Sequence, residues 1–305
     1  LSRSYQSKRN TESTQLYRTI TDSIENTPKL FPQAPMVACQ GIEGAYSQIA
    51  TDKIFRHANI MYFRTFDGVF QAVESGLCKF GILPIENSSF GSVTQVYDLM
   101  VGHKFHIVRD YKLRISHKLL ANHGTRFEDI REVYSHNQAI GQCSKFLNGL
   151  NGIHVVPCAN TAMAAKMVAE SGSRHAAAIS SHACAALYGL ECINDCIQDS
   201  DNNYTRFICI AKNTEIYSDA NRIGIMLSLP HKPGSLNDII SKFSAIDVNL
   251  TKLESRPVPG MDFEFRFIFE FEASISDPSV LSLLADLAAD PEIDRFTFLG
   301  AYSEK

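Results

Sequence analysis

The sequence predicts an α/β protein with two lobes, followed by a smaller unit of the ferredoxin-like type. From Met36 onward, short apolar stretches alternate with amphipathic ones, which is the pattern of βαβ units in a parallel sheet. A long extended stretch, FHIVRDYKLRISHKLLA, interrupts this alternation and divides it into two lobes. From residue 221 the pattern changes, because the elements then follow the ferredoxin-like order βαββαβ.

The composition indicates a folded protein that handles small solutes. The chain has 305 residues, of which 45% are hydrophobic, so it can bury a core in two or three structural units. Its net charge is −4 and its Lys and Arg residues are scattered, so we expect neither nucleic acid nor a membrane surface as a partner. No stretch of about 18 apolar residues occurs, so the sequence predicts no membrane span.

The cysteines and glycines predict neither a metal nor a cofactor. Eight irregularly spaced cysteines indicate reduced thiols and a cytoplasmic location, and LSRSYQSKRNTESTQ lacks the apolar core of a signal peptide. Cys192 and Cys196 lie four apart, but no histidine or second cysteine pair stands near them at zinc spacing. GIEGAYS lacks the third glycine of a dinucleotide fingerprint and the acidic residue about 20 positions later.

The first domain is predicted to cover residues 36–212, after a polar linker that ends in FPQAP within residues 1–35. Its lobes are residues 36–108 with 203–212, and residues 109–202. The first lobe has the strands MVACQ, NIMYFR and FGILPI, and the second has EVYSH, IHVVPCA and HAAAIS. The late strand YTRFICIA returns toward the first lobe.

The ferredoxin-like unit is predicted over residues 221–305. Its elements are RIGIMLSL, SLNDIISKFSAI, VNLTKLESRP, FEFRFIFEF, PSVLSLLADLAA and RFTFLGAY. The first helix places its apolar residues on one face: Leu236, Ile239, Ile240, Phe243 and Ile246. In FEFRFIFEF, every second residue from Phe263 to Phe271 is phenylalanine, so this strand is predicted to have one buried face.

Small polar residues follow the strands of the first domain at five joins. These joins are GIEGAYS, ENSSFGS, SHNQAIG, NTAMAAK and SSHACAA. Capping explains any one of them, but parallel strands end at the same edge, where several helix N-termini together offer free amides to an anion. We therefore expect a crevice for a carboxylated solute. In it, Glu86 is either a cap or a group that orients a hydroxyl or handles a proton, and His136 is either packed or functional.

The motifs resemble those of a known family. GIEGAYSQIA, PIENSSFGSV, SHNQAIGQC, NTAMAAK, AAISS and NYTRF are similar, in order and spacing, to the motif series of prephenate dehydratase. PHKPGSL and LESRP resemble the family's C-terminal ACT regulatory domain, and the match covers about residues 36–302. The chain departs from the family at Asn137, where proline is usual, and in having no tryptophan after ESRP. The resemblance implies a catalytic domain like a periplasmic binding protein, with no cofactor.

The resemblance also implies the reaction and its residues. Prephenate would lose its ring carboxylate as CO2 and its ring hydroxyl as water, leaving phenylpyruvate on the route to phenylalanine. Thr205 would hydrogen-bond the departing hydroxyl, Arg206 would grip a carboxylate, and Glu86 would assist. Successive strand residues face opposite sides, so Thr205 and Arg206 reach one ligand only if the strand twists or ends there. Implied substrate contacts are Asn87, Ser88, Ser89, Gln138, Asn160, Thr161, Ala162, Ser180, Tyr204 and Phe207.

A regulatory site is implied by PHKPGSL and LESRP, although a plain turn explains Gly234 as well. In the ACT domains that they resemble, such segments enclose phenylalanine, often between paired subunits. We therefore expect phenylalanine to inhibit the enzyme, and the chain to form a homodimer or homotetramer. The implied effector contacts are His231, Pro233, Gly234, Ser235, Leu236, Asn249, Glu254, Ser255, Arg256 and Pro257.

The first residues, LSRSYQ, are similar to the end of the last helix of an all-helical chorismate mutase. Ser2 and Gln6 have the i, i+4 spacing that places them on one helix face. This similarity implies a fragment of a bifunctional enzyme without a complete mutase site. Alternatives to the dehydratase are a solute-binding protein for a dicarboxylate, an amino-acid sensor and, within the enzyme class, an arogenate dehydratase.

Overall fold

The computed structural model describes residues 15–258 and 265–305. These residues form two compact units. The cleft unit contains residues 33–99 and 111–207, and the C-terminal unit contains the described residues before Gln33, residues 100–110 and residues 208–305. The domain boundaries from the sequence stay a prediction, and Ser2, Gln6 and Phe263 lie outside the described residues.

The helices and strands have the following bounds. The helices are α1 (15–26), α2 (Tyr46–Ile54), α3 (Phe66–Glu74), α4 (Thr94–Met100), α5 (Asn137–Gln142), α6 (Ser144–Asn148), α7 (Thr161–Ser171), α8 (His182–Tyr188), α9 (Ser235–Ser244) and α10 (Pro278–Ala289). The strands are β1 (Met36–Gln40), β2 (Asn59–Phe63), β3 (Phe80–Asn87), β4 (Gly91–Ser92), β5 (His106–Arg114), β6 (Lys118–Ala121), β7 (Glu132–Ser135), β8 (His154–Pro157), β9 (Ala176–Ser180), β10 (Glu191–Asn194), β11 (Tyr204–Ala211), β12 (Arg222–Leu229), β13 (Asn249–Pro257), β14 (Phe265–Glu272) and β15 (Phe296–Glu304).

The cleft unit has strands in two sheets. One has the order β11-β3-β1-β2, in which β1 runs parallel to both β2 and β3. The other has the order β10-β6-β9-β7-β8, in which β9 pairs in parallel with β7 and antiparallel with β6. The predicted strands are present, but the long extended stretch divides into β5 and β6, and β10 was not predicted.

Small side chains determine how closely the helices of the second sheet pack. Every residue of β9 is buried, and its alanines contact a row of alanines on α7 that includes Ala162 and Ala165. Asn160 caps α7, because its side chain accepts a hydrogen bond from the backbone N–H of Met163 at 2.7 Å. This packing and this cap fix the start of α7 near the end of β8, where the crevice is predicted.

The C-terminal unit contains the predicted βαββαβ order as β12, α9, β13, β14, α10 and β15. Its strands pair in the order β13-β14-β12-β15, with each of these pairs antiparallel. The prediction of one buried face for β14 is wrong. Arg266, Ile268 and Glu270 are buried as well as Phe269 and Phe271, since the opposite face is covered too, as where Arg266 Nη1 donates to the carbonyl of Val101.

Helix α1 lies where the sequence analysis expects a polar linker. Ile20 is 1% exposed and belongs to the hydrophobic core of the C-terminal unit, with Leu16 packed against that core. Thr27 accepts a hydrogen bond from the backbone N–H of Ile216 at 3.0 Å. Leu16, Ile20 and Ile24 are spaced four apart, which is a helical pattern, but the polar residues around them led to the prediction of a linker.

Three further findings concern cysteines, membranes and metals. None of the eight cysteines, all of which lie in the described part of the chain, forms a disulfide bond. Across residues 15–258 and 265–305, no helix has the length and hydropathy needed to cross a membrane. The same residues contain no cluster of His, Cys, Asp or Glu side chains that could hold a metal ion.

Candidate active site

A cavity of about 400 Å³ lies in the cleft unit, lined by residues of the first sheet and by loop and helix residues next to the strands of the second sheet. Helices α2, α5 and α7 reach its wall at their first turns, as predicted from the joins that follow the strands. Six of the sequence-predicted contact residues line it: Asn87, Gln138, Asn160, Thr161, Thr205 and Phe207. The structure therefore brings together residues from four of the quoted motifs.

Thr205 lies on the cavity wall and is held by Asn87. Its Oγ1 accepts a hydrogen bond of 3.0 Å from Asn87 Nδ2. An amide nitrogen only donates, so the O–H of Thr205 is not used in this bond and is free to point into the cavity. Thr205 is thus a hydrogen-bond donor in a fixed position.

The orientation of Asn87 follows from the backbone around it. Its Oδ1 accepts from the backbone N–H groups of Ser89 and Phe90 at 2.9 and 3.1 Å, which forms an Asx turn after β3. Its Nδ2 faces the carbonyl of Tyr204 at 3.1 Å and Oδ1 of Asn203 at 3.0 Å, besides Thr205. Backbone groups have fixed donor and acceptor roles, so the side-chain amide cannot be reversed without losing these bonds.

Gln142 and His117 continue this network along the wall. Gln142 Nε2 donates to Oδ1 of Asn203 at 3.2 Å, and its Oε1 lies 2.7 Å from His117 Nε2. His117 Nδ1 lies 3.2 Å from the hydroxyl of Tyr46, which also donates to the carbonyl of Ser116 at 3.0 Å. Burial lowers the pKa of His117 and raises that of Tyr46, so both are neutral near pH 7.

The N-termini of α2 and α7 lie at the cavity wall. Tyr46 and Ser47 of α2 and Thr161 of α7 line the wall at the first turn of each helix. Free backbone amides and the helix dipole favour an anion at both places. No Lys, Arg, Asp or Glu side chain is among the cavity-lining residues of the described chain, so an anion there meets neutral donors.

Arg206 does not reach the cavity, contrary to the expectation that it would share a ligand with Thr205. Thr205 and Phe207 line the wall, and Arg206 between them does not. The reason is the alternation of side chains along a strand, because β11 already begins at Tyr204. The pair does lie at the beginning of β11, but this strand end does not bring Arg206 to the wall beside Thr205.

Other predicted site residues lie behind or beside the wall: Glu86, Ser88, Ser89, Ala162, Ser180 and Tyr204. Ser88 joins β3 to β11, since its Oγ donates to the carbonyl of Asn202 and accepts from the N–H of Tyr204. Ser180 is fully buried and donates to the carbonyl of Thr161 at 2.9 Å. Ala162 belongs to the alanine core. These residues support the site without lining it.

The sequence analysis assigned no role to Tyr46, His117 or Gln142, which all line the cavity. Tyr46 and Gln142 stand inside quoted motifs, so these motifs were a usable signal. His117 is in RISHKLLA, which is not one of the quoted motifs. His136 also lines the wall, where its Nδ1 accepts from the N–H of Gln138 and caps α5, and burial lowers its pKa.

A second cavity, of about 100 Å³, lies in the C-terminal unit. It is lined by Leu229, Pro230, His231, Lys232, Ser235, Leu236, Phe265 and Phe267. Three predicted effector residues are among these, namely His231, Ser235 and Leu236. Ser235 is 9% exposed and its Oγ has no hydrogen-bond partner among the described residues.

The other predicted effector residues lie outside this cavity: Pro233, Gly234, Asn249, Glu254, Ser255, Arg256 and Pro257. Gly234 does occupy a turn that needs glycine, with φ of 92° directly before α9. LESRP is part of strand β13 rather than a loop, and β14 lies between β13 and β12. This strand order explains why the two predicted segments do not meet within one chain.

Comparison with known proteins identifies the family. A profile of the prephenate dehydratase family matches residues 37–215 of the 305-residue chain, which include the whole wall of the larger cavity. The chain belongs to the prephenate dehydratase family. This dehydratase is an enzyme of the lyase class, and the match confirms the resemblance in the catalytic motifs.

Relatives of this dehydratase come from plants and bacteria. Arogenate dehydratase/prephenate dehydratase 2, chloroplastic, of Arabidopsis thaliana is 38% identical over 280 residues, which are 88% of this chain and 72% of the relative. The bifunctional chorismate mutase/prephenate dehydratase of Neisseria gonorrhoeae is 31% identical, over 87% of this chain and 72% of the relative. The similarity therefore extends over most of the chain in both cases.

Solved structures are similar to this dehydratase over the same length. Prephenate dehydratase of Arthrobacter aurescens in complex with L-Phe aligns with a TM-score of 0.79 and 26% identity, over 88% of this chain and 89% of that chain. GqqA, described as a novel type of quorum-quenching acylase, aligns with a TM-score of 0.79 and 26% identity, over 88% of this chain and 98% of that chain.

Proposed function

We propose that the enzyme converts prephenate to phenylpyruvate, CO2 and water, in the synthesis of phenylalanine. The observation that carries this proposal is the hydroxyl of Thr205, which Asn87 holds with its O–H free for the cavity. Elimination from prephenate needs a donor at the departing oxygen and little else, because aromatisation of the ring drives the reaction. A fixed neutral donor in a cavity that restricts water meets this need.

The reaction then runs as a single electron flow. The C–C bond to the ring carboxylate breaks and CO2 leaves. That electron pair moves through the ring diene and expels the hydroxyl group, whose C–O bond breaks. The departing oxygen gains negative charge, which the O–H of Thr205 stabilises, and with one proton it leaves as water. Thr205 is a poor acid, so it stabilises this oxygen rather than losing its own proton.

Binding of the two substrate carboxylates falls to the N-termini of α2 and α7. Arg206 was expected to bind one carboxylate, but it is not among the residues that line the wall. The first turns of the two helices, near Ser47 and Thr161, offer the donors that the wall does have. Each favourable helix terminus contributes about 0.3–2 kcal/mol, so two of them suit a substrate of moderate affinity.

Substitution of Thr205 tests this role. Thr205→Val keeps the shape and the β-branch but removes the donor, so it should lower kcat by about a hundredfold or more. Thr205→Ser keeps the hydroxyl and should retain much of the activity. Steady-state formation of phenylpyruvate measures both variants. If the valine variant is as fast as the parent, Thr205 is only a strand residue and the proposed role is wrong.

Prephenate rather than arogenate is the proposed substrate. The two differ at the side chain, where arogenate carries an ammonium group and prephenate a keto group. No Asp or Glu is among the residues that line the cavity in the described chain, so an ammonium group would be desolvated there without a carboxylate partner. We expect a higher kcat/KM for prephenate. A higher value for arogenate, whose name the Arabidopsis relative carries, would reverse this assignment.

For regulation, we propose that the βαββαβ part is an ACT domain that binds phenylalanine and inhibits the enzyme. Its second cavity contains three of the predicted contacts, and the similar Arthrobacter aurescens structure is a complex with L-Phe. About 100 Å³ is well below the roughly 300–1,000 Å³ of most small-ligand pockets. A second copy of the chain, in a homodimer or homotetramer, is therefore proposed to complete the site.

The chain is further proposed to be part of a bifunctional chorismate mutase/prephenate dehydratase. The spacing of Ser2 and Gln6 supports this, and the Neisseria gonorrhoeae relative carries that name. The resemblance to a mutase covers only LSRSYQ, which is too short to supply a complete mutase site, so this chain should not convert chorismate to prephenate. Mutase turnover by the purified chain would contradict the proposal.

A further inference from the structure

His117 lies at the far end of the hydrogen-bond network that starts at Thr205. The connection runs from Thr205 through Asn87 and Asn203 to Gln142, and then to Nε2 of His117. His117 is 2% exposed and forms part of the cavity wall. His117 therefore makes its hydrogen bonds to protein groups, namely Gln142 and Tyr46, rather than to bulk water.

The polarity of the network is fixed from the Asn87 end. The backbone amides of Ser89 and Phe90 make Asn87 Oδ1 an acceptor, and Asn203 Oδ1 accepts from Asn87 Nδ2. Both oxygens face the amide of Gln142, so Gln142 Nε2 must point toward them and Oε1 toward His117. An amide oxygen only accepts, so His117 must carry its hydrogen on Nε2.

Neither ring nitrogen of His117 is available to the substrate. Nε2–H is given to Gln142 Oε1 at 2.7 Å, and Nδ1 accepts from the hydroxyl of Tyr46 at 3.2 Å, whose one hydrogen it shares with the carbonyl of Ser116 at 3.0 Å. The bond to His117 is also the shortest that the Gln142 side chain makes. The contacts of Gln142 Nε2 with Asn203 Oδ1 and Asn87 Oδ1 are longer, at 3.2 and 3.4 Å. Removing His117 would leave Gln142 Oε1 without its donor, so the Gln142 amide that contacts Asn203 Oδ1 and Asn87 Oδ1 would be less firmly oriented.

We infer that His117 is a positioning residue for the dehydration: its Nε2–H, through Gln142 and Asn87, holds the Thr205 hydroxyl toward the cavity. This inference rests on the proposed role of Thr205. It differs from a role in proton transfer, because His117 does not contact the reacting atoms and acts only through Gln142 and Asn87. It also differs from a purely structural role, because its effect on the rate depends on Thr205.

A double-mutant cycle between His117 and Thr205 tests the inference. His117→Leu should lower kcat about tenfold or more with KM nearly unchanged, and His117→Gln, whose amide can donate to Gln142, should restore most of the rate. In the Thr205→Val background, His117→Leu should cost less than about twofold, because the hydroxyl that it positions is gone. His154→Leu, the same change at an exposed position outside the cavity, is the control.

The outcomes separate this inference from the proposed function. If Thr205→Val is slow and the two losses multiply, the inference is wrong and the role of Thr205 stands. If Thr205→Val is fully active, both are wrong. Nitrogen-15 NMR of the histidine-labelled wild-type chain, with His117→Gln to assign the signal, should find the hydrogen on Nε2. A hydrogen on Nδ1 in the neutral ring would overturn the inference whatever the kinetics, including a chain without measurable turnover.

Discussion

Gly44, in the loop after β1, is a residue whose missing side chain shapes the cleft unit. Its φ is +88°, and a Cβ built there would lie 2.8 Å from Cys184 Sγ and 3.0 Å from Leu187 Cδ2. The neighbouring carbonyl of Glu43 accepts a hydrogen bond of 2.6 Å from Tyr188. This loop, which leads into α2, therefore packs directly against α8. The position of the first turn of α2 at the cavity wall depends on this packing.

Gly44→Ala should therefore destabilise the protein and lower kcat/KM. Positive φ alone costs alanine about 1–2 kcal/mol, and the contacts with α8 should add a further loss. Gly76→Ala is the matched control, because Gly76 has φ of +81° but a Cβ there meets nothing within 4 Å. Chemical unfolding compares the two. Equal losses of stability would mean that the loop can move to accommodate the added methyl group, and that its contact with α8 does not contribute to stability.

At the scale of the element, helix α1 is an integral part of the C-terminal unit. Its polar sequence suggested a linker, and its packing depends largely on Ile20. Removing this side chain should leave a cavity among residues such as Ile216 and Ile275, which the surrounding core cannot fill by small shifts. A helix at one end of the sequence is thus joined to a core whose other residues come from the opposite end.

Ile20→Ala should lower the free energy of unfolding by about 2–5 kcal/mol, the usual cost of truncating a buried isoleucine. Ile24→Ala is the matched control, since Ile24 is on the same helix and 36% exposed, and its truncation should cost much less. Thermal and chemical unfolding measure both. Equal small effects would show that α1 does not contribute to the core.

Elements were predictable from the sequence where the signal is local. MVACQ is β1 to the residue, and PSVLSLLADLAA is α10, whose Asp277 cap and N-terminal proline mark its start. Side-chain direction was less predictable. Thr205 and Arg206 were expected at a strand end, and they are the second and third residues of β11, where the ordinary alternation of side chains still separates them.

The cavity wall was only partly predictable, because its partners are far apart in the chain. Thr205 was found through its motif. His117 is 71 residues from Tyr46 and 25 residues from Gln142 in the sequence. No sequence pattern in these segments predicts either contact. Such pairings arise from tertiary packing, which a single sequence does not encode as a period or a spacing.

At the scale of the whole molecule, inhibition needs a phenylalanine site whose occupation changes activity elsewhere. Ser235→Ala should weaken phenylalanine binding about two- to tenfold, because one hydrogen bond to the ligand is lost, and should leave the uninhibited rate unchanged. Ser235 Oγ lacks a partner among the described residues, so its loss should not destabilise the fold. Calorimetric titration with phenylalanine measures the affinity.

Ser241→Ala is the control for this variant, since Ser241 lies on the same helix α9, is exposed and donates only to the carbonyl of Asn237. It should bind phenylalanine like the parent. If Ser235→Ala binds phenylalanine with parental affinity, the second cavity is not the effector site. If the parent itself binds none, the regulatory proposal fails while the catalytic one is unaffected.

The interleaving of the two units has a consequence for how the protein forms during translation. All residues of the cleft unit precede Ile208, whereas the C-terminal unit needs residues 208–305 besides two earlier segments. At roughly 5–20 residues per second, the ribosome takes about 5–20 s to add those residues, so Ile20 emerges long before its core exists. The cleft unit can therefore fold first, and the nascent chain must keep α1 and the segment 100–110 unassembled until synthesis of the βαββαβ part is complete.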